Sequence, residues 1–445
     1  MAGNPVAPSL RRELGLLDLC LAGLGIILGA GIYALIGEAS DEAGALVWVS
    51  FLIAAGATVL TGLSYAELGA MYPNAGAGYE YARRAFGIHV AFVTGWLTVI
   101  AGIIGAATVA LGFGSYLHAL TGFNSGAGAI LLLAGGSAVA ATGALGSVRV
   151  AAMLTVVEAA GLVLVSAIGF LDFDASRVVD DVGPLPVFSG AALVFFAYIG
   201  FEDLATLSEE VRDPARNIPR AIIISVAVST AIYVLVAVSA VGAVGAEALA
   251  GSAAPLALVG ESVFGESTGD LLSAFALAAT ANTALLLLMA ACRHIYAMAS
   301  TGALPRALGR VSGGSRVPLP GLLAAASIAA LVTLWGDMGV VADVTNFGLF
   351  IAFAVVNLAL IRLRRTAAGD PRTFVSPGTV SVPWYGKAPL LPILATATLA
   401  ILFVSLKPAA MGAGTAVLVA GVVLAIVFRG QHNAASGITG RDVPR

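Results

Sequence analysis

Long apolar runs, separated by short polar clusters, recur along the whole chain. Each run has about 20 residues or more, which is enough for an α-helix to cross the hydrocarbon core of a bilayer. The pattern predicts an all-α, polytopic membrane protein with about twelve transmembrane helices. The predicted cores are 16–37, 44–69, 89–120, 126–146, 150–171, 188–208, 219–244, 269–299, 319–335, 340–362, 389–406 and 410–428.

Basic and acidic residues separate onto alternate connections between these runs. If the N-terminus is inside, all of the 22 basic residues except Arg177 and Lys407 lie on the cytoplasmic side. The external connections instead collect acidic residues, such as Glu38, Glu42 and Asp172. This distribution follows the positive-inside rule, and an error of one in the number of spans would destroy it. We therefore expect both termini to be cytoplasmic and the protein to lie in the plasma membrane.

The composition supports a membrane protein and excludes several other classes. Of the 445 residues, 59% are hydrophobic and 11% are charged, which is far from the usage of soluble domains. Cys20 and Cys292 lie within or beside apolar runs and form no disulfide framework or metal motif. The sequence has no phosphate-binding loop, histidine metal motif or basic domain. We expect no enzyme activity, no cofactor, no metal and no nucleic-acid partner.

The first span contains five glycines between Gly23 and Gly37. Gly29-Ala30-Gly31 lies near its middle, where each glycine costs a helix about 1 kcal/mol relative to alanine. Non-helical backbone is tolerated in a membrane where protein buries it or where it lines a wet cavity. We therefore predict a broken helix whose exposed amides bind a substrate. Close packing between helices is the alternative explanation of these small residues.

The sixth span shows a second interruption, in the stretch 195–205. Gly200 lies near its centre and is followed by two carboxylates, Glu202 and Asp203. Interrupted helices in corresponding positions of two halves indicate an inverted repeat with a binding site near the membrane midplane. The two breaks therefore predict a secondary transporter.

Several motifs resemble those of the amino acid–polyamine–organocation (APC) family. Residues 25–33, GIILGAGIY, resemble its first-helix motif. Residues 64–81 resemble the end of its second helix and the following loop, and residues 195–222 resemble its sixth helix and signature loop. Residues 293–305 resemble the end of its eighth helix.

This resemblance implies the LeuT-type fold, in which two inverted repeats of five helices are followed by two peripheral helices. Residues 1–171 would form the N-terminal tail and the first repeat, and residues 172–365 the second repeat. Residues 366–445 would form the two peripheral helices and the C-terminal tail. The family transports amino acids and related amines.

The resemblance also assigns the substrate site. Backbone amides of the first break would hold the substrate carboxylate, and backbone carbonyls of both breaks would receive its ammonium group. The predicted substrate-binding residues are Ile27, Gly29, Ala30, Gly31, Ile32, Phe196, Ala197, Ile199 and Gly200. Phe196 and Phe201 flank the second break and are candidate gates, with simple aromatic packing as the alternative.

Ionisable residues at membrane depth are candidates for ion coupling, because they are costly there and usually functional. Glu158 lies about halfway along the fifth span, where family members can carry lysine, so the glutamate departs from the family pattern. Glu202, at the second break, is the other candidate. Asn282 and Thr283 are candidate ion-site residues, with interhelical hydrogen bonding as the alternative.

Charged residues at the cytoplasmic ends form a candidate inner gate, with a solvated surface as the alternative. They are Glu67, Arg83, Glu209, Glu210 and Arg212.

Together these features predict a secondary active transporter that takes up a neutral amino acid by alternating access. We expect H⁺ as the coupling ion, with Na⁺ as the alternative, and the lipid bilayer as the protein's environment. An amino acid or amine exchanger and a polyamine carrier are the competing transport functions. A membrane amino acid sensor is the competing function without transport.

Overall fold

The computed structural model describes residues 14–72, 77–206, 211–312, 317–382 and 386–427. These residues fold mainly into α-helices. The helices are α1 (Leu16–Ile27), α2 (Ala30–Ala43), α3 (Val47–Met71), α4 (Ala77–Phe86), α5 (Ile88–Thr121), α6 (Ser125–Ala141), α7 (Ala144–Gly169), α8 (Pro184–Val194), α9 (Asp203–Thr206), α10 (Pro214–Val244), α11 (Ala246–Ala250), α12 (Pro255–Phe264), α13 (Glu266–Ser300), α14 (Leu319–Val332), α15 (Met338–Thr366), α16 (Leu390–Val404) and α17 (Pro408–Val427).

Within the described ranges, eight helical stretches are long and apolar enough to cross a membrane. They are Ala30–Met71, Ile88–Thr121, Met153–Asp172, Pro184–Ala205, Pro214–Val244, Glu266–Ser300, Met338–Thr366 and Pro408–Val427. Each of the twelve predicted cores overlaps a helix. The number of long helical stretches is lower than the number of predicted cores partly because the first core is divided into two short helices, α1 and α2. The other cores that fall short of the length criterion are α6, α14 and α16.

The two long helices α5 and α13, of 34 and 35 residues, pack along each other in the middle of the fold. Helix α2 lies against both of them and against α8. Most side chains of α2 and α8 are buried, whereas α7 and α17 leave large apolar side chains such as Met153 and Val427 exposed. Helices α2 and α8 are therefore interior, and α7 and α17 present the apolar surface that a lipid environment accepts.

The structure adds elements that the hydrophobic pattern did not predict. Helices α4, α11 and α12 lie in connections between the predicted spans. A two-stranded antiparallel hairpin, β1 (Thr379–Val382) and β2 (Gly386–Pro389), joins α15 to α16. This hairpin is a local exception to the all-α prediction, which the helices of the described residues otherwise support. Its strands are only four residues long, so they carry too little alternation to stand out in the sequence.

Candidate functional site

The first helix interruption lies at Leu28 and Gly29, between α1 and α2. Leu28 has ψ of 82° and Gly29 has φ of −121° and ψ of −169°, so neither residue has helical geometry. A helix end leaves carbonyl groups without intrahelical donors, and a helix start leaves amide groups without intrahelical acceptors. The interruption therefore brings both kinds of free backbone group into the protein interior, where the glycine pattern predicts it.

The second interruption runs from Phe195 to Glu202, between α8 and α9. A 3-10 turn covers Phe195–Tyr198, and Ile199 then turns to an extended ψ of 141°. Gly200 has φ of +106°, a conformation that side chains with a Cβ rarely adopt. A Cβ at this position would also overlap Ile26 Cγ2. Glycine is therefore required here both by the backbone and by the neighbouring helix.

The two interruptions contact each other directly. A Cβ placed on Gly31 would lie 2.5 Å from Ala197 Cα and 2.6 Å from Ala197 Cβ. Gly31 belongs to the first turn of α2, and Ala197 belongs to the 3-10 turn of the second break. The start of one helix half is thus packed against the irregular backbone of the other.

Side chains from α10 and α13 bond to the backbone groups that the breaks release. The Tyr233 hydroxyl contacts two carbonyl oxygens, that of Ile27 and, at 3.1 Å, that of Ala197. The Ala30 amide donates to Thr283 Oγ1 at 2.8 Å. The Phe196 carbonyl accepts a bond from the Ile199 amide at 3.2 Å. Several of the predicted substrate ligands are therefore bonded to the protein itself in this conformation.

A polar network beside the first break includes one of the two predicted coupling acids. Glu158 is fully buried, and its Oε2 accepts a hydrogen bond from Asn282 Nδ2 at 3.2 Å. The same Asn282 nitrogen donates to Thr155 Oγ1 at 3.0 Å, and Tyr33 donates its hydroxyl to the Glu158 backbone carbonyl at 3.0 Å. Among the described residues, Glu158 Oε1 and Asn282 Oδ1 have no hydrogen-bond partner.

Glu202 lies at the other break and has a local contact. Its Oε2 accepts a hydrogen bond from the Gly200 amide at 2.9 Å. This bond satisfies an amide of the non-helical segment, so the carboxylate supports the local backbone geometry. Phe201, one of the two candidate gates, is fully buried and packs edge-on against Tyr65 and Phe353, with ring centroids 6.0 and 5.2 Å apart.

Two residues that support the breaks were missed at the sequence level. Tyr233 is described above. Asn346 is fully buried on α15, and its Nδ2 donates to the carbonyls of Ala192 and Leu193 at 2.7 and 3.1 Å, where α8 gives way to the 3-10 turn. A tyrosine or an asparagine within an apolar run was the available signal in each case.

The predicted inner-gate residues do not form one cluster among the described residues. Glu67 is fully buried and makes a two-point contact with Arg364, including Arg364 Nε to Glu67 Oε1 at 2.9 Å. It also accepts hydrogen bonds from the amide and hydroxyl of Ser376. Arg83 instead pairs with Glu80 of its own helix at 2.8 Å. The Arg212 amide donates to the Leu14 carbonyl at 2.9 Å, and Glu209 and Glu210 lie outside the described residues.

A family model described as amino acid permease matches residues 14–428. The chain is 30% identical to a branched-chain amino acid permease of Bacillus subtilis, over 84% of this chain and 86% of that protein. It is 29% identical to a methylthioribose transporter of the same organism, over 86% of this chain and 88% of that protein. It is 31% identical to mouse cationic amino acid transporter 4, over 83% of this chain and 63% of that protein.

We expect Gly31→Ala to damage the contact between the two breaks. The added methyl group overlaps the backbone of Ala197, and overpacking of this kind costs about 1–3 kcal/mol. Thermal unfolding of the purified protein in detergent should show a lower midpoint. The matched control is Gly135→Ala in α6, where a Cβ meets no atom within 4 Å. Equal midpoints for the two variants would contradict the close contact between Gly31 and Ala197.

We expect Glu67→Gln to destabilise the protein strongly. Arg364, whose side chain is 9% exposed, would lose its carboxylate, and breaking a buried ion pair costs about 3–5 kcal/mol. The control is Glu80→Gln, because Glu80 pairs with the more exposed Arg83 and Arg84 and such pairs contribute about 1 kcal/mol or less. Denaturant unfolding measures both, and a similar loss in the two variants would contradict this ranking.

The pH dependence of the control pair has a definite direction. Burial raises the pKa of Glu80, but hydrogen bonds from Arg83 and Arg84 lower it more, so the pKa lies below its ordinary value. The ion pairs of Glu80 therefore contribute their full stabilisation at pH values above the ordinary carboxyl pKa. This contribution is lost as the pH falls through the lowered value.

Proposed function

Because the chain belongs to the amino acid permease family of the APC superfamily, we propose that it takes up a neutral amino acid by proton-coupled alternating access. Membership makes it a multi-pass membrane transporter of the LeuT-type fold and not an enzyme. The substrate, the coupling ion and the roles of individual residues are the proposal. The observation that carries it is the direct contact between two interrupted helices at Gly31 and Ala197.

We propose that twelve helices cross the plasma membrane, with both termini in the cytoplasm. The first repeat lies within residues 1–171, the second within 172–365, and the two peripheral helices within 366–445. Two facts support this arrangement. Each proposed repeat begins with an interrupted helix, and the basic residues segregate to one side of the predicted topology.

The backbone ends at the two breaks suit the two charges of an amino acid. The start of α2 offers the amides of Gly31 and Ile32, and the positive end of the helix dipole favours a carboxylate there. The carbonyls of Ile27 and Ala197 suit an ammonium group. Tyr233 and Thr283 occupy part of this set in the present conformation, and in the proposed cycle the substrate replaces their bonds.

The surroundings of Gly105 on α5 favour an apolar substrate side chain. The three atoms nearest to a Cβ placed there are Leu287 Cδ1 and Phe196 Cε2, both at 3.4 Å, and Thr345 Cγ2 at 3.6 Å. These carbon atoms come from three different elements and meet beside the second break. The branched-chain permease among the relatives supports a neutral substrate, although the names of the methylthioribose transporter and of cationic amino acid transporter 4 give other substrates.

Glu158 is the proposed proton carrier. A buried carboxylate is costly when it is charged and poorly paired, so a change in its access to water drives proton uptake or release. Its Oε1 has no partner among the described residues, and the Ala30 amide at the first break bonds to Thr283, the neighbour of its partner Asn282. Sodium is the alternative ion, because Glu158, Asn282 and Thr283 also offer oxygen ligands of the kind that such cations take.

Transport by reconstituted protein tests this proposal. Proteoliposomes and protein-free liposomes are given a panel of radiolabelled amino acids under imposed proton and sodium gradients. We expect accumulation of neutral, apolar amino acids that collapses when the proton gradient is removed. Uptake that requires a counter-substrate inside would instead identify an exchanger. Binding without flux would identify a sensor.

We expect Glu158→Gln to uncouple transport from protons. The amide keeps the shape of the side chain but cannot release a proton at any working pH. Accumulation driven by the proton gradient should fall to background, while substrate exchange between loaded liposomes and medium continues. Glu261→Gln, which changes an exposed acid of α12, serves as the control. Persistent proton-driven accumulation in Glu158→Gln would assign coupling elsewhere, with Glu202 as the next candidate.

We expect Gly105→Ala to change the size preference of transport. The added methyl group fits in ordinary contact with Leu287, Phe196 and Thr345 but takes space from the substrate. One methylene in an apolar pocket changes specificity by about tenfold or more, so leucine uptake should fall relative to alanine uptake by that factor. The control is Gly102→Ala, one turn away, where a Cβ meets Ala291 Cβ at 3.4 Å. An unchanged leucine-to-alanine ratio would contradict this pocket.

A further inference from the structure

The C-terminal end of α15 has one exposed face that changes from apolar to basic. Leu358 is 44% exposed, although its neighbours Asn357 and Ala359 are buried. Arg362 and Arg365 follow Leu358 at spacings of four and seven residues, which puts them on the same face of the helix, and both are exposed. An apolar turn followed by two basic turns is the order expected where a helix leaves the hydrocarbon and meets lipid headgroups.

The length of α15 puts these arginines at the level of the headgroups. The helix has 29 residues, from Met338 to Thr366, and is therefore about 43 Å long at about 1.5 Å per residue. The hydrocarbon core of a bilayer is about 30 Å thick, so part of α15 extends beyond it. The exposed arginines identify the C-terminal turns as that part. In the proposed topology these headgroups belong to the cytoplasmic leaflet.

Phe86, the last residue of α4, holds the Arg362 side chain in place. The Cζ atom of Arg362 lies 5.5 Å from the centre of the Phe86 ring, within the range of a cation–π contact. Phe86 is half-buried and packs against the hydrophobic core, so its ring is a fixed platform. The ring offers no oxygen or nitrogen acceptor, and the N–H donors of Arg362 therefore stay available for an anion.

Arg362 has no carboxylate partner among the residues that the structure describes. Three acids at this end of the fold bond to other side chains. The pairs are Glu67 with Arg364, Glu80 with Arg84 and Asp370 with Tyr72, at 2.9, 2.7 and 2.7 Å. The charge of Arg362 is therefore left for a partner from outside the described fold.

We propose that Arg362 and Arg365 bind the phosphate group of an anionic phospholipid. Arginine suits this ligand because its planar guanidinium donates two parallel hydrogen bonds to phosphate oxygens. Leu358, one turn deeper, contacts the acyl chains, which a free phosphate ion does not have. The bound lipid anchors the end of α15, beside the buried pair of Arg364 and Glu67, to one leaflet. This site depends neither on the transported substrate nor on the coupling ion.

Titration of the purified full-length protein in detergent with dioleoylphosphatidylglycerol, read by native mass spectrometry, tests this site. Dioleoylphosphatidylcholine, which has the same acyl chains and no net charge, is titrated in parallel. We expect the wild type to bind the anionic lipid more tightly. Arg362→Gln and Arg365→Gln should each weaken that binding about fivefold, the effect of one basic residue at an anionic membrane surface. Unchanged binding of phosphatidylcholine reports that each variant is folded.

The matched control is Arg306→Gln, which loses the same charge at another place. Arg306 is exposed in the 3-10 turn Arg306–Gly309, between α13 and α14. This variant should bind phosphatidylglycerol as tightly as the wild type does. Phe86→Leu keeps every charge but removes the ring that Arg362 contacts, and should weaken the anionic lipid about two- to fivefold. A loss in Arg306→Gln equal to that in Arg362→Gln would show attraction to overall charge and overturn the site.

Competition with glycerol phosphate separates the lipid from a soluble phosphate. Displacement of phosphatidylglycerol by an equal concentration of glycerol phosphate would overturn the lipid site, because the acyl chains would then contribute nothing. Equal affinity of the wild type for the two lipids would also overturn it, as would an unchanged affinity for phosphatidylglycerol in either the Arg362 or the Arg365 variant. Since the measurement is lipid binding, none of these outcomes bears on the proposed transport function.

Discussion

Backbone groups without hydrogen-bond partners are the main physical constraint on this fold, because each costs several kcal/mol in a membrane interior. The two helix breaks create such groups close together. Tyr233 and Asn346 contact carbonyls at the breaks, while Thr283 and Glu202 accept bonds from amides. These four polar side chains are therefore explained by the interrupted backbone to which they bond. They satisfy the backbone groups of the proposed substrate site before any ligand binds.

The positions of the breaks were accessible from sequence because a glycine inside an apolar run has a local cost that needs an explanation. Gly29 and Gly200 both have non-helical backbone conformations. The long helices could also be predicted from the sequence, because their apolar runs are longer than most helices of soluble proteins. The short hairpin after α15 and the connecting helices had no comparable signal.

The partners of the breaks were not accessible, because they are distant in sequence. Tyr233 contacts Ile27 across a separation of 206 residues, and a tyrosine that only packs would look the same in the sequence. Distance in sequence also explains why the ion-pair partners of the predicted inner-gate residues were not all predicted. Glu67 was singled out, but its partner Arg364 lies 297 positions away, while Arg83 finds Glu80 within its own helix. The roles of these residues in gating stay predictions.

The Tyr233 hydroxyl has one hydrogen atom but faces two carbonyl oxygens, one from each interrupted helix. At any instant it donates fully to only one of them, so the other is held by a weaker, shared contact. Separation of the two helices therefore breaks less than two complete hydrogen bonds at this residue. If the two interrupted helices separate in the proposed transport cycle, the Tyr233 hydroxyl can keep its hydrogen bond to one helix while the other helix moves.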